Sequence, residues 1–266
     1  MRVGIIIPAY NEEKRIGLVL DSYSEFLNSK LNKSKFDYQI FVVINATTDN
    51  TAKIVSTAKK KNKRIDFVDL EKEGKGYAIM EGFKIMIKKG YDLIGYVDAD
   101  TSTSPNAFYD LIQNIENADA IIASRYIRGA VVSPKQVFMR IIASRVFNFL
   151  VRSFFLMPYR DTQCGAKIIR KEALESVVDE LGDTQWSFDI DLLFHLRNKG
   201  FYIKEWPTVW KDSADSKLNL KKVSIQMFFS IIQLRIFNSP FRRFLKLFRS
   251  ISRAMWNLLR EVKNKK

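Results

Sequence analysis

A chain of 266 residues with 47% apolar content is too hydrophobic to be disordered and long enough for one large α/β domain, or for a domain with an appendage. One cysteine, Cys164, excludes an intrachain disulfide framework and fits a reducing compartment. The net charge of +15 is unevenly placed: residues 120–160 hold seven Lys/Arg and no acid, and residues 217–266 hold thirteen against Glu261 alone, so two segments are built to meet a polyanion, with nucleic acid and an anionic membrane both candidates.

Val3 to Pro8 reads as a first strand. The apolar run ending at Ala9 is too short for the core of a signal peptide and lacks a cleavage pattern, and no uninterrupted apolar stretch reaches the length that spans a bilayer, so a soluble or peripheral protein is expected. Asn11-Glu12-Glu13 is expected to open a helix to about Phe26, with acids in its first turn. Tyr38 to Ile44 is a second buried strand, and Asn45 to Asn50 supplies caps for a helix through about Lys60. Ile65 to Leu70 reads as a third strand. Gly74-Lys75-Gly76 is a glycine-punctuated loop, and a helix from about Tyr77 to Lys88 follows. Four alternations of strand and helix in the first hundred residues predict right-handed crossovers and a mainly parallel, doubly wound sheet.

The fourth strand, Leu93 to Val97, stops on Asp98-Ala99-Asp100. Residues two apart on a strand point the same way, so both carboxylates are expected to meet one hard cation, at the strand ends where open α/β sheets hold ligands. Such a pair suits Mg2+ or Mn2+ shared with a diphosphate, because the remaining coordination positions go to water and phosphate oxygens. After Pro105 a helix is predicted to about Asn117, then a strand at Ala120 to Ser124. From Gln136 to Met157 the polar residues Arg140, Ser144, Asn148 and Arg152 recur every fourth position, which aligns them in one stripe of a helix. Ala166 to Ile169 reads as a strand, Lys171 to Leu181 as a helix, Trp186 to Lys199 as another, and Ile203 to Val209 as a last strand. His195 lies in an apolar stretch and is expected to be a packed core histidine. Val223 to Phe237 is apolar nearly all round. Phe241 to Val262 is two-sided, with Phe241, Phe244, Leu245 and Phe248 against Arg242, Lys246, Arg249 and Arg253. A basic amphipathic helix of that kind suits the headgroup plane of an anionic membrane. The lack of interleaved stacking aromatics disfavours nucleic acid.

Together, Pro8-Ala9-Tyr10-Asn11-Glu12, Asn45-Ala46-Thr47-Thr48-Asp49, Gly74-Lys75-Gly76, Asp98-Ala99-Asp100 and Trp186-Ser187-Phe188-Asp189 resemble the inverting family 2 glycosyltransferases, over roughly residues 3–218. Ala123-Ser124-Arg125-Tyr126, the run Arg160-Asp161-Thr162-Gln163-Cys164-Gly165-Ala166-Lys167 and Asp215-Ser216-Lys217-Leu218 are most similar to the dolichyl-phosphate β-glucosyltransferases. The resemblance implies an α/β nucleotide-diphospho-sugar transferase (GT-A, Rossmann-like) domain over residues 1–218, followed by basic amphipathic helices over residues 219–266. It implies that Pro8, Ala9, Tyr10 and Glu12 wall the nucleotide. Asn45 stands where relatives place an aspartate that accepts from the base, and Ile44 replaces a second one. Lys75 and Asp98 would sit near the base or diphosphate, and Asp98 with Asp100 would hold the metal. Arg125, Arg140 and Ser144 would hold the acceptor phosphate, while Asp100, Arg125 and Asp189 would serve catalysis, Asp189 by positioning the sugar or assisting. The reaction implied is transfer of a sugar, glucose from UDP-glucose foremost, to dolichyl or polyprenyl phosphate with inversion. Its setting would be the cytoplasmic face of a membrane, with the enzyme peripheral. Alternatives are a GDP-mannose or UDP-GlcNAc donor, a polysaccharide hydroxyl as acceptor, and a basic module that only binds.

Overall fold

The computed structural model describes residues 1–31, 36–134, 138–182, 187–211 and 220–237. Trp186, the 215–218 string and the whole amphipathic segment from Phe241 onward lie outside them, as does the side chain of Arg140.

The expected α/β alternation is present. Strands β1 (Arg2–Ala9), β2 (Asp37–Asn45), β3 (Ile65–Leu70) and β4 (Leu93–Val97) alternate with helices α1 (Ile16–Leu31), α2 (Thr51–Lys61) and α3 (Lys75–Lys88). Helix α4 (Pro105–Asn114), β5 (Ala120–Ser124), a short β6 (Val131–Val132) and α5 (Phe138–Phe155) follow. The rest comprises β7 (Ala166–Arg170), α6 (Lys171–Val177), α7 (Phe188–Asn198), β8 (Ile203–Pro207), β9 (Val209–Trp210) and α8 (Leu220–Phe237). Seven strands form one sheet in the order β3-β2-β1-β4-β7-β5-β8. All its pairings are parallel except those of β7, which runs antiparallel between β4 and β5. The carboxyl ends of six strands and the amino end of β7 therefore share one rim, where βαβ folds place their ligands.

Each sheet face carries its own core, as continuous apolar strands covered on both sides require. Along β1, Val3, Ile5 and Ile7 pack with α1 and α4, while Ile6 turns to the opposite face with Phe83 and Met86 of α3. All four β1 side chains are fully buried, each contributing about 1.5–3 kcal/mol by transfer from water.

Several boundaries differ from the sequence reading. Helix α1 opens at Ile16, so Glu12 and Glu13 are not in its first turn; Asn11 takes a left-handed backbone (φ 53°) instead. The cause is a lacing of two loops: the N–H groups of Asn11, Glu12 and Glu13 donate to Thr47 Oγ1 (3.1 Å), Thr51 Oγ1 (2.8 Å) and Asp49 Oδ2 (3.0 Å). Helix α4 stops at Asn114, shortly before Glu116 adopts φ 44°. The last strand breaks after Pro207, which has no N–H to give, and Val209–Trp210 pairs with β6 instead. Among the described residues no helix is long and apolar enough to cross a membrane.

His195 is not an apolar core residue. Its Nδ1 lies 3.1 Å from Glu180 and its Nε2 3.3 Å from Asp191, while Lys199 also holds Glu180 at 2.6 Å. Burial favours the neutral ring, but the two carboxylates outweigh it and raise the pKa above 6.5. A raised folded pKa stabilises the protein fully below pH 6.5, and the contribution is lost as pH rises through the folded value. Melting curves should show wild type exceeding His195→Gln most at the acid end and least at the alkaline end. A difference independent of pH would remove the charge from this account.

Candidate active site

The rim is assembled from four loops. Asp98 and Asp100 lie past the end of β4, in a turn that continues to Thr101 at φ 64°, so the turn, and not strand alternation, brings them together. Asp98 Oδ1 is 2.5 Å from Lys75 Nζ at the start of α3. Asp100 Oδ1 accepts from the Ser102 N–H at 2.9 Å. Across the sheet Val97 pairs with Ala166, which sets Gly165 beside Asp98; a Cβ there would fall 2.0 Å from Asp98 Oδ2. No residue but glycine leaves room for that carboxylate.

Electrostatics at the rim is crowded. Burial raises the pKa of Asp98, and Asp100 and Asp189 add to the rise against the opposing pull of Lys75. Burial opposes the charge on Lys75, yet the Asp98 carboxylate, with Asp189 behind it, raises its pKa. Carboxylates held this close favour a further cation.

Asp189, in the first turn of α7, accepts from Tyr96 Oη and from Lys167 Nζ, both on its Oδ1. Lys167 is fully buried and donates also to the Cys164 carbonyl at 2.7 Å. Burial alone would raise the Asp189 pKa, but Lys167 and then Lys75 bring it below the usual carboxylate value. Helix α7 comes this near because Gly76 has no side chain: a Cβ there would meet Phe188 Cβ at 2.9 Å.

On the other side of the rim, Arg125 is committed. It forks onto Asp161 through Nε (2.7 Å) and Nη2 (2.9 Å), and its own N–H adds a third bond at 3.0 Å. Its guanidinium lies 5.2 Å from the Tyr126 ring centre and 5.1 Å from that of Trp210. Glu205 receives the N–H groups of Arg160 and Asp161 at 3.0 and 2.9 Å, and Asn148 of α5 receives the Thr162 N–H at 3.1 Å. The Tyr126 hydroxyl meets Ser144 Oγ at 2.7 Å. The loop at 160–162 thus ties β5, β8 and α5 into one wall.

Residues 4–178 match the family described as Glycosyl transferase family 2. The chain belongs to glycosyl transferase family 2. It is 32% identical over 244 residues to the dolichyl-phosphate beta-glucosyltransferase of Dictyostelium discoideum, covering 88% of this chain and 73% of that one. It is 29% identical over 230 residues to the Drosophila melanogaster protein of the same name, covering 82% and 69%. Among solved structures it is similar to glucosyl-3-phosphoglycerate synthase from Mycobacterium tuberculosis in complex with Mn2+, UDP and phosphoglyceric acid. That likeness has a TM-score of 0.62 and 17% identity over 88% of this chain and 78% of that one, and it establishes the GT-A fold.

With the family 2 fold established, the sequence-predicted residues sort by position. Asp98, Asp100, Lys75 and Asp189 converge at the rim. Pro8 and Ala9 have their side chains buried in β1, so of that trio only Tyr10, 45% exposed, presents a surface to a ligand. Glu12 is forked by Arg15 at 2.7 and 2.8 Å. Asn45 is 2% exposed, and with its amide oriented to satisfy both neighbours it donates to the Ala9 carbonyl (2.9 Å) and accepts from the Gly74 N–H (3.1 Å). It therefore braces two loops at the position where Asn45 was expected to meet the base. Arg125 is taken by Asp161, not held open for a phosphate. Sequence reasoning gave no role to Lys167, Tyr96, Asp161, Tyr126 or Gly165, although the 160–167 string was singled out as specific.

The residues fit a divalent ion. Among the described residues no three Asp, Glu, His or Cys side chains form a preformed cage. Two carboxylates at a strand end, with oxygens left for a diphosphate to complete, are the donor set that Mg2+ or Mn2+ accepts.

Proposed function

We propose that this family 2 transferase moves glucose from UDP-glucose to dolichyl or another polyprenyl phosphate, with inversion, as a peripheral enzyme on the cytoplasmic face of a membrane. The observation that carries the reading is the two-sidedness of α5. Its inner side meets the wall at Tyr126 and Thr162, while Val146 (52% exposed) and Phe149 (66% exposed) stand bare on the outside. Phe228, Phe229 and Ile236 of α8, which packs against α5, are exposed too, with Arg145, Arg152 and Arg235 exposed on the same two helices. Apolar side chains rimmed by arginine suit an anionic lipid surface, and a lipid phosphate lying there reaches the rim from the α5 side.

The acceptor defines the chemistry. A phosphate oxygen is anionic near neutral pH and attacks the anomeric carbon without a strong base. Asp189, held ionised by Lys167, Tyr96 and Lys75, is accordingly a poor proton acceptor and a good fixed anion beside the sugar. Ser144, with Arg140 one turn earlier on α5, is assigned to the acceptor phosphate. Arg125, locked to Asp161, shapes the wall next to them. Tyr10 lines the nucleotide, and Lys75 meets its diphosphate. Asp98 and Asp100 would hold Mg2+ or Mn2+, which would supply neutralisation of the diphosphate charge. The relatives named dolichyl-phosphate beta-glucosyltransferase support this acceptor and sugar, and the solved structure with UDP and Mn2+ supports the donor class.

Purified protein with Mn2+, dolichyl phosphate and, in turn, UDP-glucose, GDP-mannose and UDP-GlcNAc tests the reading. Lipid-linked glucose should form from UDP-glucose and exceed the other products. Product from GDP-mannose or UDP-GlcNAc alone would move the donor, and absence of any lipid-linked sugar would end the proposal.

A further inference from the structure

Lys167 is a charged side chain with no exposure at all, in the middle of a sheet. Burying an ammonium costs several kcal/mol, so a lysine persists there only where its partners are fixed. Its partners are the Cys164 carbonyl, Asp189 Oδ1 and the face of Tyr96, whose ring centre is 5.4 Å from Nζ. Register explains the grouping: Tyr96 and Lys167 are directly paired across β4 and β7, and α7 sets Asp189 over both. Both donors take the same oxygen, which leaves Asp189 Oδ2 without a hydrogen-bond partner among the described residues. The carboxylate keeps slight exposure, 12% of its side chain, and lies near enough to Lys75 and Asp98 to act on the charge of each.

We infer that Lys167 is a positioning residue for sugar transfer: with Tyr96 it clamps Asp189 by one oxygen and presents the other, fixed in direction, to a hydroxyl of the donor sugar. The clamp also accounts for a lysine on a strand whose other buried side chains, Ala166, Ile168 and Ile169, are apolar. The inference rests on the reading of the rim as a sugar-nucleotide site, and deepens it by naming the residue that fixes Asp189 there.

The test compares Lys167→Met, Tyr96→Phe, Asp189→Asn and the double variant Lys167→Met/Asp189→Asn with wild type. Two readouts are used: thermal protection by UDP and by UDP-glucose with Mn2+, and kcat and KM for transfer. Lys167→Met should keep the protection given by UDP and lose the additional protection given by the glucose moiety. Its kcat should fall about 10²-fold, as misplacement of a substrate contact does. Tyr96→Phe should fall in the same direction by less. The double variant, which buries no lone charge and so folds even where Lys167→Met does not, should be no slower than Asp189→Asn alone. Wild-type kcat in Lys167→Met or in the double variant would overturn the inference, as would equal loss of UDP and UDP-glucose protection, which marks a role in folding only. If wild type makes no lipid-linked sugar while the glucose-dependent protection follows Lys167 as described, the acceptor reading fails and the role of Lys167 stands.

Discussion

Asp100→Ala is expected to abolish transfer while leaving the fold in place. The Asp100 carboxylate has one hydrogen bond among the described residues, from the Ser102 N–H, and its loss removes little from the folded state. Asp98 is different: it is paired with Lys75 and wedged against Gly165, so its replacement disturbs three loops as well as the proposed metal site. Asp100 is therefore the cleaner probe of the cation. Stabilising a departing diphosphate is worth several kcal/mol, which converts to a loss of about 10³-fold or more in kcat. Melting temperature without ligand should stay near that of wild type, and the extra protection given by UDP with Mn2+ over UDP alone should vanish. Activity within tenfold of wild type at saturating Mn2+ would mean that the cation, if used, is held elsewhere.

The place of this candidate site was legible in the sequence because residues at a sheet rim follow directly on apolar strands. β1, β2, β4 and β5 are continuous apolar runs, and such runs end where the chain leaves the core, so the acids after Val97 and the arginine after Ser124 could be placed at strand ends by reading alone. Partners could not be placed in that way. Arg125 reads as a free cation because Asp161 lies 36 residues away and reaches it only through a loop held by Glu205 and Asn148. Lys167 received no role from its sequence, since nothing local reveals that β7 is inserted antiparallel between β4 and β5 or that α7 brings Asp189 above it. Asn45 shows the opposite failure. A local comparison with relatives suggests a ligand to the base, yet burial and two backbone partners make it a brace. Periodicity did predict helix α5, but not that Ser144 and Asn148 turn inward to Tyr126 and Thr162.

The largest expected effect on stability is that of Asp161→Ala. Asp161 is fully buried, and three N–H bonds from Arg125 end on its two oxygens. Removing it leaves a guanidinium with 12% side-chain exposure facing a cavity, and breaking a buried pair on one side costs roughly 3–5 kcal/mol. At about 2–4 °C per kcal/mol for a chain of this size, the melting temperature should fall by roughly 6–20 °C. Arg125→Met/Asp161→Leu removes both charges and should recover most of the loss, because the unpaired charge, and not the missing bond, sets the cost. A third variant, Arg125→Lys, decides what Arg125 does. If it were an open ligand for the acceptor phosphate, Arg125→Lys would raise KM for dolichyl phosphate and leave the melting temperature alone. Locked as it is, the substitution forfeits the fork onto Asp161, since lysine has one point of charge where arginine has two parallel donors, and the melting temperature must fall with it.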